Sequence, residues 1–293
     1  MTLDLPAFLA MTLANATPLL LAATGGIYSE RSGIVNIALE GMMLAGAFAA
    51  VCGARWTGSP WGGLLAAMAA GGALGAIHAF ACIRAKADQI VSGTALNILS
   101  LGATGFLLFH VFGVHGSSPS APKLHALRFG PGFRLSPLTL LSFGAVILSW
   151  TVLYRTRFGL RIRAAGERPE TVRALGVNIS RIRTEAVILS GLLAGMGGAY
   201  LSLCDLSQFV ERMTAGRGFI ALAALIFGKW KPFGVLAACL LFGSIEAFAD
   251  SLQGYAVRVP AQVLLVLPFV LTMIVLAGFV GRSRPPEALG KRQ

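Results

Sequence analysis

Uncharged apolar runs near 20 residues long recur along the chain, separated by short polar segments. They predict spans at about 7–27, 36–54, 61–83, 90–112, 137–154, 186–204, 217–228, 233–252 and 261–280. A helix rises ~1.5 Å per residue, so ~20 apolar residues match a hydrocarbon core ~30 Å thick. Composition agrees: 56% of residues are hydrophobic and 12% charged, against about 25% charged in an ordinary soluble domain. So little polar surface cannot coat a water-soluble fold, and the bilayer is the expected solvent.

The net charge is +12, but the 24 Lys and Arg residues sit between apolar runs rather than on one soluble face. That distribution is a topology signal and argues against nucleic acid as a partner. Cations of short loops stay on the cytoplasmic side. Placing the C-terminus inside makes the connections 28–35, 84–89, 155–185, 229–232 and 281–293 cytoplasmic, and these hold 17 of the 24 cations. The N-terminus is then outside. Residues 1–6 carry Asp4 and no cation, so they lack the basic start of a signal peptide, and the first run is expected to remain as a membrane helix. The expected organisation is one membrane domain over 1–293, with an external loop at 113–136, a cytoplasmic loop at 155–185 and a cytoplasmic tail at 281–293.

Two segments interrupt the apolar pattern. Glu30 to Gly41 is polar enough to break two spans, and Gly216 to Gly228 is too short to cross upright. Such backbone is tolerated in a membrane where it lines a protein-enclosed cavity, so both predict broken or half helices. Their shared pattern, Gly33-Ile34-Val35 and Gly218-Phe219-Ile220, is a weak sign of an inverted repeat. The glycines Gly71, Gly72, Gly75, Gly191, Gly195, Gly197 and Gly198 read as close helix packing.

Chemistry-bearing patterns are few. No GxxxxGK[ST], HExxH or GxSxG sequence occurs, so nucleotide hydrolysis, zinc-protease and nucleophile-elbow chemistry find no support. The four cysteines have no CxxC spacing, and His78, His110, His115 and His125 lack ligand-like spacing; neither a metal nor another cofactor is expected. Polar groups inside spans are costly in lipid and therefore stand as pathway candidates: Asn36 and Glu40, four apart on one helical face, then Asn97 and Glu246. Phe219 could face a planar solute, although packing is the commoner role of a membrane phenylalanine.

The cytoplasmic loop holds a short helix with its own punctuation: Pro169-Glu170-Thr171-Val172-Arg173-Ala174-Leu175-Gly176. Proline suits the first helical position, Glu170 the positive end of the dipole, Arg173 the negative end and Gly176 a left-handed stop. So short a helix is marginal in water and must be held by something. Val172 and Leu175 offer an apolar knob ringed by Arg163, Arg168, Arg173, Arg181 and Arg183, which fits a groove on a soluble partner and equally fits acidic lipid headgroups.

Four stretches together resemble a known family. They are Gly25 to Gly41 (GGIYSERSGIVNIALEG), Val91 to Asn97 (VSGTALN), Ala164 to Asn178 (AAGERPETVRALGVN) and Gly216 to Gly228 (GRGFIALAALIFG), with the tail Pro286 to Gly290 in keeping. They resemble the permease subunits of ATP-binding-cassette importers for simple sugars and nucleosides, relatives of the ribose and branched-chain amino acid permeases. The resemblance implies an all-α polytopic bundle of about 8 to 10 spans, of the type II importer kind. It also implies that Glu167, Arg168, Pro169, Glu170, Thr171, Val172, Arg173, Ala174, Leu175 and Gly176 form the coupling helix for a separate ATPase subunit. The other implied partners are a second permease subunit, an extracytoplasmic binding protein and membrane lipid. The solute would be a nucleoside, a purine-like base or a simple sugar, moved across the inner membrane by alternating access. A proton-coupled secondary transporter using Glu40 or Glu246 is the alternative.

Overall fold

A computed structural model describes residues 5–130, 133–254 and 284–291. In chain order it contains α1 (Leu5–Arg31), α2 (Leu39–Thr57), α3 (Pro60–Ala79), α4 (Gln89–Phe112), a hairpin of β1 (Leu127–Gly130) and β2 (Phe133–Leu135), α5 (Pro137–Arg155), α6 (Arg157–Glu167), α7 (Pro169–Ala174), α8 (Ile179–Ala199), α9 (Arg217–Phe227) and α10 (Pro232–Gly254). Wider π-helical turns extend α3 through Phe80–Arg84 and α8 through Tyr200–Asp205. The fold is an all-α membrane bundle with one small antiparallel hairpin.

Helix ends follow local chemistry. Asp88 accepts from the amides of Ile90 and Val91 to start α4, and Gly113 ends that helix at φ 68°. Ser136 caps α5, whose first residue is Pro137, and Asn178 caps α8 through the Arg181 amide. Side-chain acceptors at these positions take up amides that a helix cannot satisfy itself.

Among the described residues, six helices are long and apolar enough to cross a bilayer: α1, α3 with its π turn, α4, α5, α8 with its π turn, and α10. α2, with Glu40 and Arg55 near its two ends, is not among them. It is instead the most enclosed, packed along α3, α8 and α4, so protein rather than lipid surrounds it. α9, with 11 residues, is the expected half helix. The span expected at 261–280 lies outside the described residues.

The glycines do what their spacing predicts. A Cβ on Gly71 would overlap the Gly191 carbonyl oxygen, one on Gly195 would overlap that of Ala67, and one on Gly198 that of Met43. α8 therefore crosses α3 and α2 backbone to backbone, the small-residue packing that replaces a hydrophobic drive in lipid.

Two stretches expected as loops are more ordered than that. Residues 155–185 form α6, α7 and the first turns of α8, which begins at Ile179 rather than near 186. The overlooked signal for α6 was Phe158, Ile162 and Ala165 on one face among arginines. Residues 113–136 end in the hairpin, and their first part covers the connection from α8 to α9: Ser118 bonds Phe209 through N–H to carbonyl at 2.8 Å, and the Phe209 amide returns to Ser118 Oγ at 2.9 Å.

All the connections assigned to one side meet at one end of the bundle. Arg31 pairs with Glu167 at 3.8 Å and donates to the Trp230 carbonyl at 3.1 Å. Val35 donates to Gln89 at 2.7 Å, and the Ala288 amide donates to the Gly166 carbonyl at 2.8 Å. At the other end, Arg55 reaches Ser120 and Lys123 reaches the Asp205 carbonyl.

Candidate functional site

The polar break between α1 and α2 is irregular backbone within a bundle of apolar helices, so its carbonyls and amides need protein partners. They have them. Ser29 Oγ donates to the Ile34 carbonyl at 2.8 Å, the Val35 amide goes to Gln89 Oε1, and His78 Nε2 lies 3.0 Å from the Val35 carbonyl. Asn97 closes the outer part: its Nδ2 donates to the Ile37 carbonyl at 3.0 Å and its Oδ1 accepts from the Gly41 amide at 2.8 Å. Gly41 sits so close to α4 that a Cβ there would meet Ser100 Oγ and Asn97 Oδ1.

Glu40, in the first turn of α2, reaches across to α9. Its Oε1 accepts from the Gly216 amide at 2.9 Å and its Oε2 from the Gly218 amide at 2.6 Å. A carboxylate thereby caps the half helix at its positive end, where the orphan amides and the dipole both favour negative charge. Gly216, at φ 86°, takes the left-handed turn into the helix, and Gly218 has the Glu40 backbone where a Cβ would stand.

Around this cap lies a groove of about 350 Å³ lined by Glu40, Asn97, Ile98, Leu101, Arg212 and Phe219, among others. Three of the five pathway candidates, Glu40, Asn97 and Phe219, thus come together. Phe219 is 48% exposed at the rim. The two remaining candidates lie elsewhere. Asn36 does not share a helical face with Glu40, because α2 begins only at Leu39; it is fully buried in the break and donates to Ser190 Oγ of α8 at 2.9 Å. Glu246, on α10, is not part of the groove.

Apart from this groove, α7 covers Pro169–Ala174, and Gly176 follows at φ 74° with its amide on the Arg173 carbonyl. The expected two-residue knob is split. Val172 is 5% exposed and packs into the core cluster, whereas Leu175 is 75% exposed. Val172 is therefore the anchor that holds so short a helix, and Leu175 alone projects. Arg183, expected as part of an exposed ring, is instead buried: its Nε donates to the Ser32 carbonyl at 2.8 Å and its Nη2 to the Ala165 carbonyl at 3.1 Å. A second groove, about 520 Å³, runs between α7 and the tail, lined by Glu167, Arg168, Glu170, Arg173, Glu287 and Lys291 among others. The Ala288 contact that seats this tail was not foreseen; five residues of mixed polarity carry no periodic signal.

Two separate sites on one bundle, a groove beside a capped half helix and a projecting helix at one end, suit a transporter better than an enzyme. Among the described residues no group of three or more His, Cys, Asp or Glu is placed to hold a metal. Comparison with known proteins agrees with the geometry. The chain is 40% identical to the guanosine ABC transporter permease protein NupQ of Bacillus subtilis, over 95% of this chain and 93% of that one. It is 38% identical to the nucleoside ABC transporter permease protein NupC of Lactococcus lactis over the same shares, and 40% identical to the putative glucose ABC transporter permease protein TsgC13 of Haloferax volcanii over 80% of this chain and 74% of that one. Residues 8–276 match the family model described as branched-chain amino acid transport system, permease component. The chain is a multi-pass membrane protein that belongs to this family of transport permeases.

Proposed function

We propose that this permease is the membrane subunit of an ATP-binding-cassette importer for nucleosides. The near full-length likeness to two nucleoside permease proteins carries the reading. The groove fits it: a partly apolar wall with Phe219 at its rim suits the face of a base, and Asn97 and Arg212 offer polar edges. A simple sugar is the second reading, favoured by the likeness to the putative glucose permease.

A separate ATPase subunit closes on nucleotide, and the segment Glu167 to Gly176 receives that motion through Leu175. A second permease subunit faces the groove and completes the pathway, and an extracytoplasmic binding protein delivers solute to the end that carries the hairpin. The end bearing α7 and the tail faces the cytoplasm, with the N-terminus outside. This sidedness rests on the gathering of the cation-rich connections at one end.

Glu40, engaged on two amides, is a structural cap in this scheme rather than a proton carrier. The test is uptake of labelled guanosine into proteoliposomes holding the complete complex and its binding protein. Uptake is expected with ATP on the α7 side and none with a proton gradient alone. Uptake driven by the gradient without ATP would instead identify a secondary transporter.

A further inference from the structure

Both carboxylates of the α1–α2 break hold the same half helix. Glu40 takes the amides at the start of α9. Ten positions earlier, Glu30, 2% exposed, takes the indole N–H of Trp230 at 2.5 Å, in the turn just after α9. Arg31 adds a bond from its Nε to the Trp230 carbonyl. Lys229 and Trp230 both stand at φ 53°, a left-handed conformation that side chains other than glycine rarely hold without support. The Glu30 and Arg31 contacts supply that support.

The inner part of the break is held from the other direction by the segment that carries α7. Arg183 ties the Ser32 carbonyl to the Ala165 carbonyl at the end of α6, and Arg31 pairs with Glu167, two residues before Pro169. Gly166 lies so close that a Cβ there would overlap the Arg31 carbonyl oxygen. Residues 30–40 therefore form a bracket, gripped on its inner side by the α7 loop and closed on both ends of α9. An 11-residue helix fixed at both ends moves as one body roughly 16 Å long.

From this geometry we infer that Glu30 and Trp230 are positioning residues that carry displacement of the α7 loop to α9, and through α9 to the groove. The inference rests on the importer reading. A buried, directional bond between a carboxylate and an indole suits the task, because low-dielectric surroundings strengthen it and no water competes for either partner. Neither residue belongs to the projecting helix or to the groove lining, so their loss leaves docking and solute contacts in place.

The experiment measures guanosine uptake and ATP hydrolysis together in proteoliposomes of the complete complex, at matched amounts of assembled protein. Trp230→Phe keeps an aromatic ring and removes the donor; uptake per ATP is expected to fall about tenfold while hydrolysis continues. Glu30→Gln, which keeps an acceptor, should stay near the unsubstituted ratio. Glu30→Met removes the acceptor with little change in volume and should repeat the loss, which serves should the indole variant not assemble. An unchanged ratio in Trp230→Phe or Glu30→Met would overturn the proposal. So would a proportional fall of uptake and hydrolysis, the signature of weakened structure or docking. Absence of ATP-driven uptake in the unsubstituted complex would instead remove the importer reading itself, and this proposal with it.

Discussion

Asn97 donates to one backbone carbonyl and accepts from one backbone amide across the start of α2, two roles that a side-chain amide fills at once and a carboxylate does not. Asn97→Asp loses the donor and Asn97→Ala loses both bonds; each buried group left without a partner costs about 1–3 kcal/mol. Thermal unfolding in detergent should rank unsubstituted protein above both variants. Glu40 has a similar order of expectations: Glu40→Gln retains one oxygen acceptor for two amides and Glu40→Ala retains none, with charge-assisted bonds contributing about 1.5–3 kcal/mol each. Guanosine uptake should fall further in Glu40→Ala than in Glu40→Gln, because α9 loses its cap and the groove loses a wall. Polar groups in apolar runs demand a reason, which is what marked Glu40 and Asn97 in the sequence, and the structure brings both to one groove with Phe219. The shared helical face expected for Asn36 and Glu40 is absent, since an unbroken helical register was assumed across a stretch whose backbone is irregular up to Leu39.

α7 is the element whose sequence punctuation was most explicit: Pro169 opens it and Gly176 stops the chain just beyond it. Which apolar residue faces outward was not legible, because a single turn has two apolar positions and only packing decides which is the anchor. The structure separates them, and so do two substitutions. Leu175→Asp is expected to abolish capture of the ATPase subunit while leaving stability in detergent unchanged. Val172→Asp should lower stability first, since a carboxylate would enter the core; co-purification and thermal unfolding distinguish the two. The crossing of α8 with α3 makes a different demand. Gly71→Val would force apart backbones in direct contact, at a cost on the order of 1–3 kcal/mol or more, and should reduce the yield of folded protein. Small-residue spacing made that crossing legible, whereas the partner helices became known only from the structure.

At the scale of the molecule, the bundle has a projecting helix at one end and a groove on its side, joined by a bracket. The cation-rich connections Arg31, Lys229 to Lys231, residues 155–185 and the tail gather at one end, and the groove beside the Glu40 cap opens along the side of the bundle. Hydropathy made the positions of most described spans legible, because transfer into lipid dominates the pattern. The hairpin and α6 were not legible, since their short amphipathic patterns are outweighed by neighbouring arginines. The central claim is that force enters through the projecting end of α7. Cross-linking tests it most directly: a photoreactive thiol reagent on Leu175→Cys, with Cys52, Cys82 and Cys239 buried and Cys204 half-buried in the bundle. Illumination of the assembled complex in native membranes is predicted to yield an adduct with the ATPase subunit. Adducts formed only with phospholipid would contradict it.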